Sequence, residues 1–395
     1  MKKGYKLWNK KIIDKRNLIV LLGLAGFIVM ADNWVVSPIL PTISQNLNID
    51  IAKSGLLITA YMIPFGVFQI IFGPLADRYG KKQVITFSML AFTIATGICA
   101  LGSSLTSLAL FRSLTGIFAA SVIPISLALI GDVFPMQKRQ QAIGTFMGLS
   151  FLGQGLSMAV GGTIAFLLNW RGVFVTYALI SLIPAILLIK NYKLLPSEKN
   201  PNSQIIKPYI KLISNTTSLF TYLIVIFEGM FIVGSFSYIG SFIAKTYHYN
   251  NLYIGFIMTG FGIMSVIGGR MSGKITRKIG QRKILSIGLI SASLADIVIY
   301  FSGTNIFMLV LGVALLGIGF IFTHSTLLTR ATEFAQKSRG SAMSLVAFCF
   351  MGGGGLGTAI GGRVIMVYGI NALFVIYGSL LIVTLLLSYA LIKDI

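Results

Sequence analysis

Twelve apolar stretches, each long enough to cross a lipid bilayer, divide this chain from end to end. A hydrocarbon core about 30 Å thick takes roughly 20 apolar residues of helix. Measured against that length, the stretches fall at 17–40, 53–73, 84–102, 106–131, 141–167, 173–190, 218–244, 252–274, 283–301, 306–329, 340–366 and 371–392. Composition agrees, because only 11% of residues are charged, against about 25% in a soluble domain. The first stretch follows a Lys-rich start and is too long for the apolar region of a cleaved signal peptide, so it reads as a retained helix. The two cysteines, Cys99 and Cys349, each lie inside an apolar run, and no disulfide framework or Cys-rich metal site can be built from them.

The net charge of +22 would suggest nucleic acid in a soluble protein, but the placement of the charges excludes that reading. With the N-terminus inside, 27 of the 32 Lys and Arg fall in the tails and in the loops of one side. Lys53, Arg171, Lys245 and Arg363 lie near outer ends, and Arg112 lies within the fourth stretch. This bias predicts cytoplasmic termini and a bacterial-type inner membrane. The basic face would also be drawn to anionic headgroups.

The longest polar stretch, 191–217, carries Pro196, Pro201 and Pro208 and divides the chain into 1–190 and 218–395. The two parts repeat at an offset of 200. Gly80 matches Gly280, Gly153 matches Gly353, Gly161-Gly162 matches Gly361-Gly362, and Phe174-Val175-x-Tyr177 matches Phe374-Val375-x-Tyr377. So many matches in one register indicate a duplication. Two related six-helix halves put a binding site between them near the midplane.

Between the second and third stretches the chain reads Gly73-Pro74-Leu75-Ala76-Asp77-Arg78-Tyr79-Gly80-Lys81-Lys82. Its glycines permit a tight turn and close helix approach, and Asp77 is expected to face the N-terminus of the eleventh helix, a favourable dipole contact. This segment resembles the signature loop of the major facilitator superfamily. The resemblance covers the whole chain and implies an all-α membrane fold of twelve helices in two pseudo-symmetric six-helix bundles. It further implies that Asp77, Lys81 and Asp132 form a charge cluster that latches the cytoplasmic side. The plainer alternative is a solvated turn with topology charges. The second-half copy, Gly273 to Arg282, holds Arg277 at the carboxylate position, so the halves are not equal partners in gating.

The stretch from Arg112 to Ala120 is similar to the family's helix 4 motif, with Thr115 where Gln is usual. An Arg within an apolar run costs about 2.5–3.5 kcal/mol, so it should face a cavity or a partner unless it snorkels. Asp32-Asn33-Trp34 to Pro41 resembles the acidic helix 1 motif of the twelve-helix drug:proton antiporters. Asp32 lies about 12 Å from the outer end of its helix and Arg112 about 9 Å from that of its own, so the two can pair.

Glu228 sits near the middle of the seventh stretch with no route to water, so it is protonated at rest or paired. It is expected to carry a coupling proton, with a structural, hydrogen-bonded glutamate as the alternative. Asp296 is expected near the outer end of a peripheral helix, in a snorkelling or water-facing structural role. His324 is either structural or a cavity ligand. Trp34, Phe231, Tyr238 and Phe320 are candidates for stacking surface in the cavity, with packing or lipid contact as the alternative. In the fifth stretch the antiporter motif's Gly-Pro is replaced by Ser157-Met158, while the glycine spacing remains.

No GxxxxGK[ST] loop, metal-spaced cluster or nucleophile–base constellation occurs. The expectation is a monomeric secondary transporter, not an enzyme. It would move a small amphipathic compound outward against protons by alternating access, with the proton gradient as energy source and no cofactor. Export or symport of a metabolite or sugar on the same fold is the alternative, followed by a non-transporting membrane receptor or lipid-handling protein.

Overall fold

The computed structural model describes residues 13–197, 199, 207–334 and 339–392. Of the features read from sequence, Lys2, Lys3, Lys6, Lys10, Lys11, Pro201, Lys337 and Lys393 lie outside the described residues. Twelve helices are long and apolar enough to cross a membrane, one for each expected stretch. They are α1 (Lys15–Trp34), α2 (Ile51–Tyr79), α3 (Lys81–Cys99), α4 (Leu105–Val133), α5 (Gln137–Leu167) and α6 (Trp170–Lys190) in the first half. The second half holds α7 (Thr216–Tyr247), α8 (Asn251–Ile279), α9 (Gln281–Ser302), α10 (Ile306–Phe334), α11 (Gly340–Tyr368) and α12 (Ile370–Leu391). Among the described residues there is no strand.

Large apolar side chains cover the outside. Phe87, Phe301 and Phe307 are 63%, 74% and 81% exposed. Apolar surface on this scale belongs in lipid, and the chain is a multi-pass membrane protein. Some of the helices begin on a side-chain cap. Asp14 accepts from the amides of Arg16 and Asn17, and Ser104 and Ser107 form a capping box.

The helices run past the apolar windows. The segment read as a loop from Gly73 to Lys82 is helical through Tyr79, and its turn is the single residue Gly80 at φ 106°. Gly280, at φ 87°, makes the same turn between α8 and α9. Only glycine adopts such angles at no steric cost. The central connection also departs from a plain loop, because it holds a short helix, Lys207–Ile213. Tyr209 on that helix donates to the Ile70 carbonyl of α2 at 3.3 Å.

The duplication is visible in packing. The Tyr177 hydroxyl donates to the Ser157 carbonyl at 3.3 Å, and Tyr377 to the Gly357 carbonyl at 2.5 Å. A Cβ at Gly153 would overlap the Phe27 carbonyl, and one at Gly353 the Ile226 carbonyl. Small residues of this kind let membrane helices approach closely.

The end that bears the Gly80 and Gly280 turns is called the basic end. The halves meet toward the opposite end. There α5 lies against α8, with Gly155 beside Gly262, and α2 lies against α11, with Thr59 donating to the Gly355 carbonyl at 2.9 Å. Toward the basic end the halves separate around a cavity.

Candidate functional site

The cavity between the halves has a volume of about 600 Å³. Met30 and Trp34 of α1, Gln69 of α2, Gln154 of α5, and Phe320 and His324 of α10 form its deep wall. Asp77, Lys81 and Arg139 share its wall at the basic end with Gly340 and Ser341, the first turn of α11.

Three irregular helices flank it. After Trp34, α1 is interrupted at Val35 and resumes as Val36–Asn46. In α4 the helical run stops at Ala119 and resumes at Val122. In α7 a five-residue π-helical segment, Gly229–Val233, follows Glu228 directly. Such π segments occur frequently at functional sites.

In the first half, Arg112 Nη1 donates to Asp32 Oδ2 at 2.7 Å and its Nη2 to the Asp32 carbonyl at 3.3 Å. Both side chains are buried, at 1% and 0% exposure. The guanidinium lies 4.3 Å from the centre of the Tyr61 ring, a cation–π contact strengthened by exclusion of water. Arg112 therefore does not snorkel. Neither member of the pair belongs to the cavity wall.

In the second half, Glu228 is fully buried, and its Oε1 and Oε2 lie 3.2 Å and 3.4 Å from His324 Nδ1. The imidazole lines the cavity and packs on Phe320 and Phe350, at ring separations of 5.3 Å and 4.6 Å. His324 is thus the cavity-facing member of the pair and Glu228 the member behind it.

At the basic end Lys81 Nζ lies 2.6 Å from Asp132 Oδ2. Arg139 donates to the Gly131 carbonyl at 2.6 Å and to that of Phe134 at 3.4 Å, covering the free carbonyls that end α4. Arg78 is exposed and lies over Tyr79. Gly73 lines the cavity, but a Cβ there would meet nothing within 4 Å, so the close approach expected of it is absent. The second half builds a different cluster, in which Gln281 bonds both carboxylate oxygens of Glu333 (2.9 Å and 3.0 Å) and Arg330 donates to Gln281 at 3.3 Å.

Trp34, Phe320 and His324 line the cavity, whereas Phe231 and Tyr238 do not. Phe231 packs on Phe227 and Tyr377 inside the second half. Tyr238 is buried where the halves meet, donating to the Thr358 carbonyl at 2.9 Å. Both take the packing role that stood as the alternative. Asp296 also departs from expectation. It is fully buried beside Gly378 of α12, not snorkelling or facing water. Depth along a helix can be counted from sequence, but the face cannot.

Sequence reasoning missed Gln69, Gln154, Tyr61 and Phe350. The signal for Gln154 is an amide inside an apolar run.

The Major Facilitator Superfamily profile matches residues 22–335 and 219–394. An MFS-type transporter of Bacillus subtilis (strain 168), YceJ, is 28% identical over 355 residues, 88% of each chain. Multidrug resistance protein 3 of the same organism is 29% identical over 176 residues, 44% of this chain and 34% of that one. Among solved structures, a bacterial homolog of the human lysosomal transporter Spinster, inward-facing and unoccupied, superposes with a TM-score of 0.80. It is 18% identical and covers 96% of this chain and 98% of its own.

Proposed function

The chain belongs to the major facilitator superfamily, and we propose that this membrane transporter exports a small amphipathic compound in exchange for protons. One observation carries the reading: a fully buried carboxylate in each half, Asp32 and Glu228, beside a single cavity that the two halves share. An ionised acid at this depth costs a few kcal/mol, and ionisable groups kept there in spite of that cost mark proton relays and substrate paths. Asp32 has Arg112 as its counter-ion, and Glu228 has a titratable partner, His324, on the cavity wall.

The basic end would be cytoplasmic by the positive-inside rule, in a bacterial-type inner membrane. The cavity is then inward-open, and alternating access requires the halves to rock until the basic end closes and the opposite end parts. Asp77, Lys81 and Asp132 would latch the closed state, with Gly80 holding the turn. Each chain has its own cavity, consistent with a working monomer driven by the proton gradient alone.

A second reading is symport, or export of a metabolite. Ser157-Met158 favours it, because these residues replace the Gly-Pro of the antiporter motif. Purified protein in proteoliposomes with an imposed pH gradient tests the proposal. Antiport predicts substrate movement opposite to the proton flow. Movement in the same direction, or movement indifferent to the gradient, overturns it.

A further inference from the structure

The deep cavity has two chemically different walls. On the first-half side, Gln154 is 3% exposed and neither its Oε1 nor its Nε2 has a protein partner. Gln69, 5% exposed, likewise leaves Oε1 unpartnered. A buried polar group left unpaired costs about 1–3 kcal/mol, and a native example calls for an explanation. Both residues line the cavity, and the terminal torsion of a glutamine is soft. A small rotation turns either amide toward a ligand. On the second-half side the wall is aromatic, with Phe320, Phe350 and His324 packed on one another. Trp34 lies 6.1 Å from the Phe320 ring and extends this surface into the first half.

Among the described residues, fixed charge is missing from this deep region. Asp32 and Arg112 neutralise each other behind the wall, and Glu228 is screened by His324. The charged groups on the wall, Asp77, Lys81 and Arg139, stand at the basic end.

We infer that the cavity takes an uncharged, planar aromatic or heteroaromatic molecule bearing amide-type groups. Its ring stacks on Phe320, Phe350 and Trp34, and its donors and acceptors pair with Gln69 and Gln154. A carboxamide is the natural complement of a glutamine side chain, since each offers one acceptor and two donors. An anion or cation would leave its hydration shell with no fixed opposite charge at the deep wall. The inference rests on the reading of this cavity as the substrate site.

The test uses the full chain in lipid nanodiscs, with empty discs as blanks, and three matched probes: 2-naphthamide, 2-naphthoate and 2-naphthylmethylammonium. 2-Naphthamide should bind at least about tenfold more tightly than either ion, and Gln154→Met and Gln69→Met should each weaken it about fivefold. Tighter binding of either ion, no binding of any probe, or indifference to both methionines overturns the substrate class. If a methionine variant fails to fold, the ranking on the unaltered protein decides. Ala347 lines the same cavity, and Ala347→Trp puts a bulky ring into it. Ion binding that Ala347→Trp abolishes leaves the cavity as the site and rejects only the class. Amide binding of unchanged affinity in Ala347→Trp rejects the cavity itself as the site.

Discussion

Thr42 Oγ1 donates to Asn251 Oδ1 at 2.6 Å, a side-chain hydrogen bond that ties the first half to the second at the end remote from the Gly80 turn. Gly162 packs against the backbone of Asn251 beside it. If the halves rock, this contact breaks in every cycle. A cysteine pair, Thr42→Cys with Asn251→Cys, should therefore cross-link in this state and reduce transport to background, with recovery on reduction. Cross-linked protein that still transports at full rate would show that this end does not open.

The Lys81–Asp132 pair is partly exposed, with side chains 16% and 36% accessible. Such pairs contribute about 0–1 kcal/mol, so Lys81→Gln should change thermal stability little. Asp77 shares the cavity wall with the first turn of α11, whose positive dipole end would meet the carboxylate when the basic end closes. Asp77→Asn should cut transport more than about tenfold, if the latch contributes as much as 1.4 kcal/mol to the closed state. Expression and melting temperature should stay near those of the unaltered protein. Normal flux kinetics in Asp77→Asn would remove the latch.

Asp32 and Arg112 form a desolvated ion pair. Removing one partner of such a pair costs about 3–5 kcal/mol, whereas replacing both with apolar residues is often nearly neutral. Arg112→Met alone should thus destabilise the protein more than the double variant Asp32→Leu with Arg112→Met. Thermal unfolding of the purified variants measures the difference. A double variant no more stable than the single one means that the pair is held by more than its own charges.

Helix number, the duplication and the depth of Asp32, Arg112 and Glu228 were legible because they follow from counting residues along a rod of fixed rise. Helix ends were not, because α2 continues through Asp77 and Arg78 beyond its apolar window. Facing was not legible at Phe231, Tyr238 and Asp296, since depth along a helix carries no azimuth. Gln154 was overlooked because an uncharged amide leaves no trace in a charge map. The open end could not be read at all, because every state of the cycle has the same sequence.

Glu228 and His324 yield the sharpest test. The carboxylate is fully buried and the imidazole forms cavity wall 3.2 Å away; on the proposed exchange mechanism a proton from the cavity would reach Glu228 through His324. The π segment begins at the next residue, Gly229, whose added Cβ would overlap the Phe350 carbonyl of α11. A change of charge at Glu228 is therefore next to a contact between the helices that surround the site. Glu228→Gln keeps the shape and removes the titration. It should abolish flux driven by a pH gradient while leaving substrate binding, and exchange without net proton movement, within about threefold of normal. His324→Gln keeps a hydrogen-bonding side chain but removes the relay. It should slow gradient-driven flux while leaving substrate binding near normal. Flux and binding measured side by side on each variant separate coupling from folding. Unchanged gradient-driven flux in Glu228→Gln would make this glutamate structural and leave Asp32 as the remaining candidate for the proton.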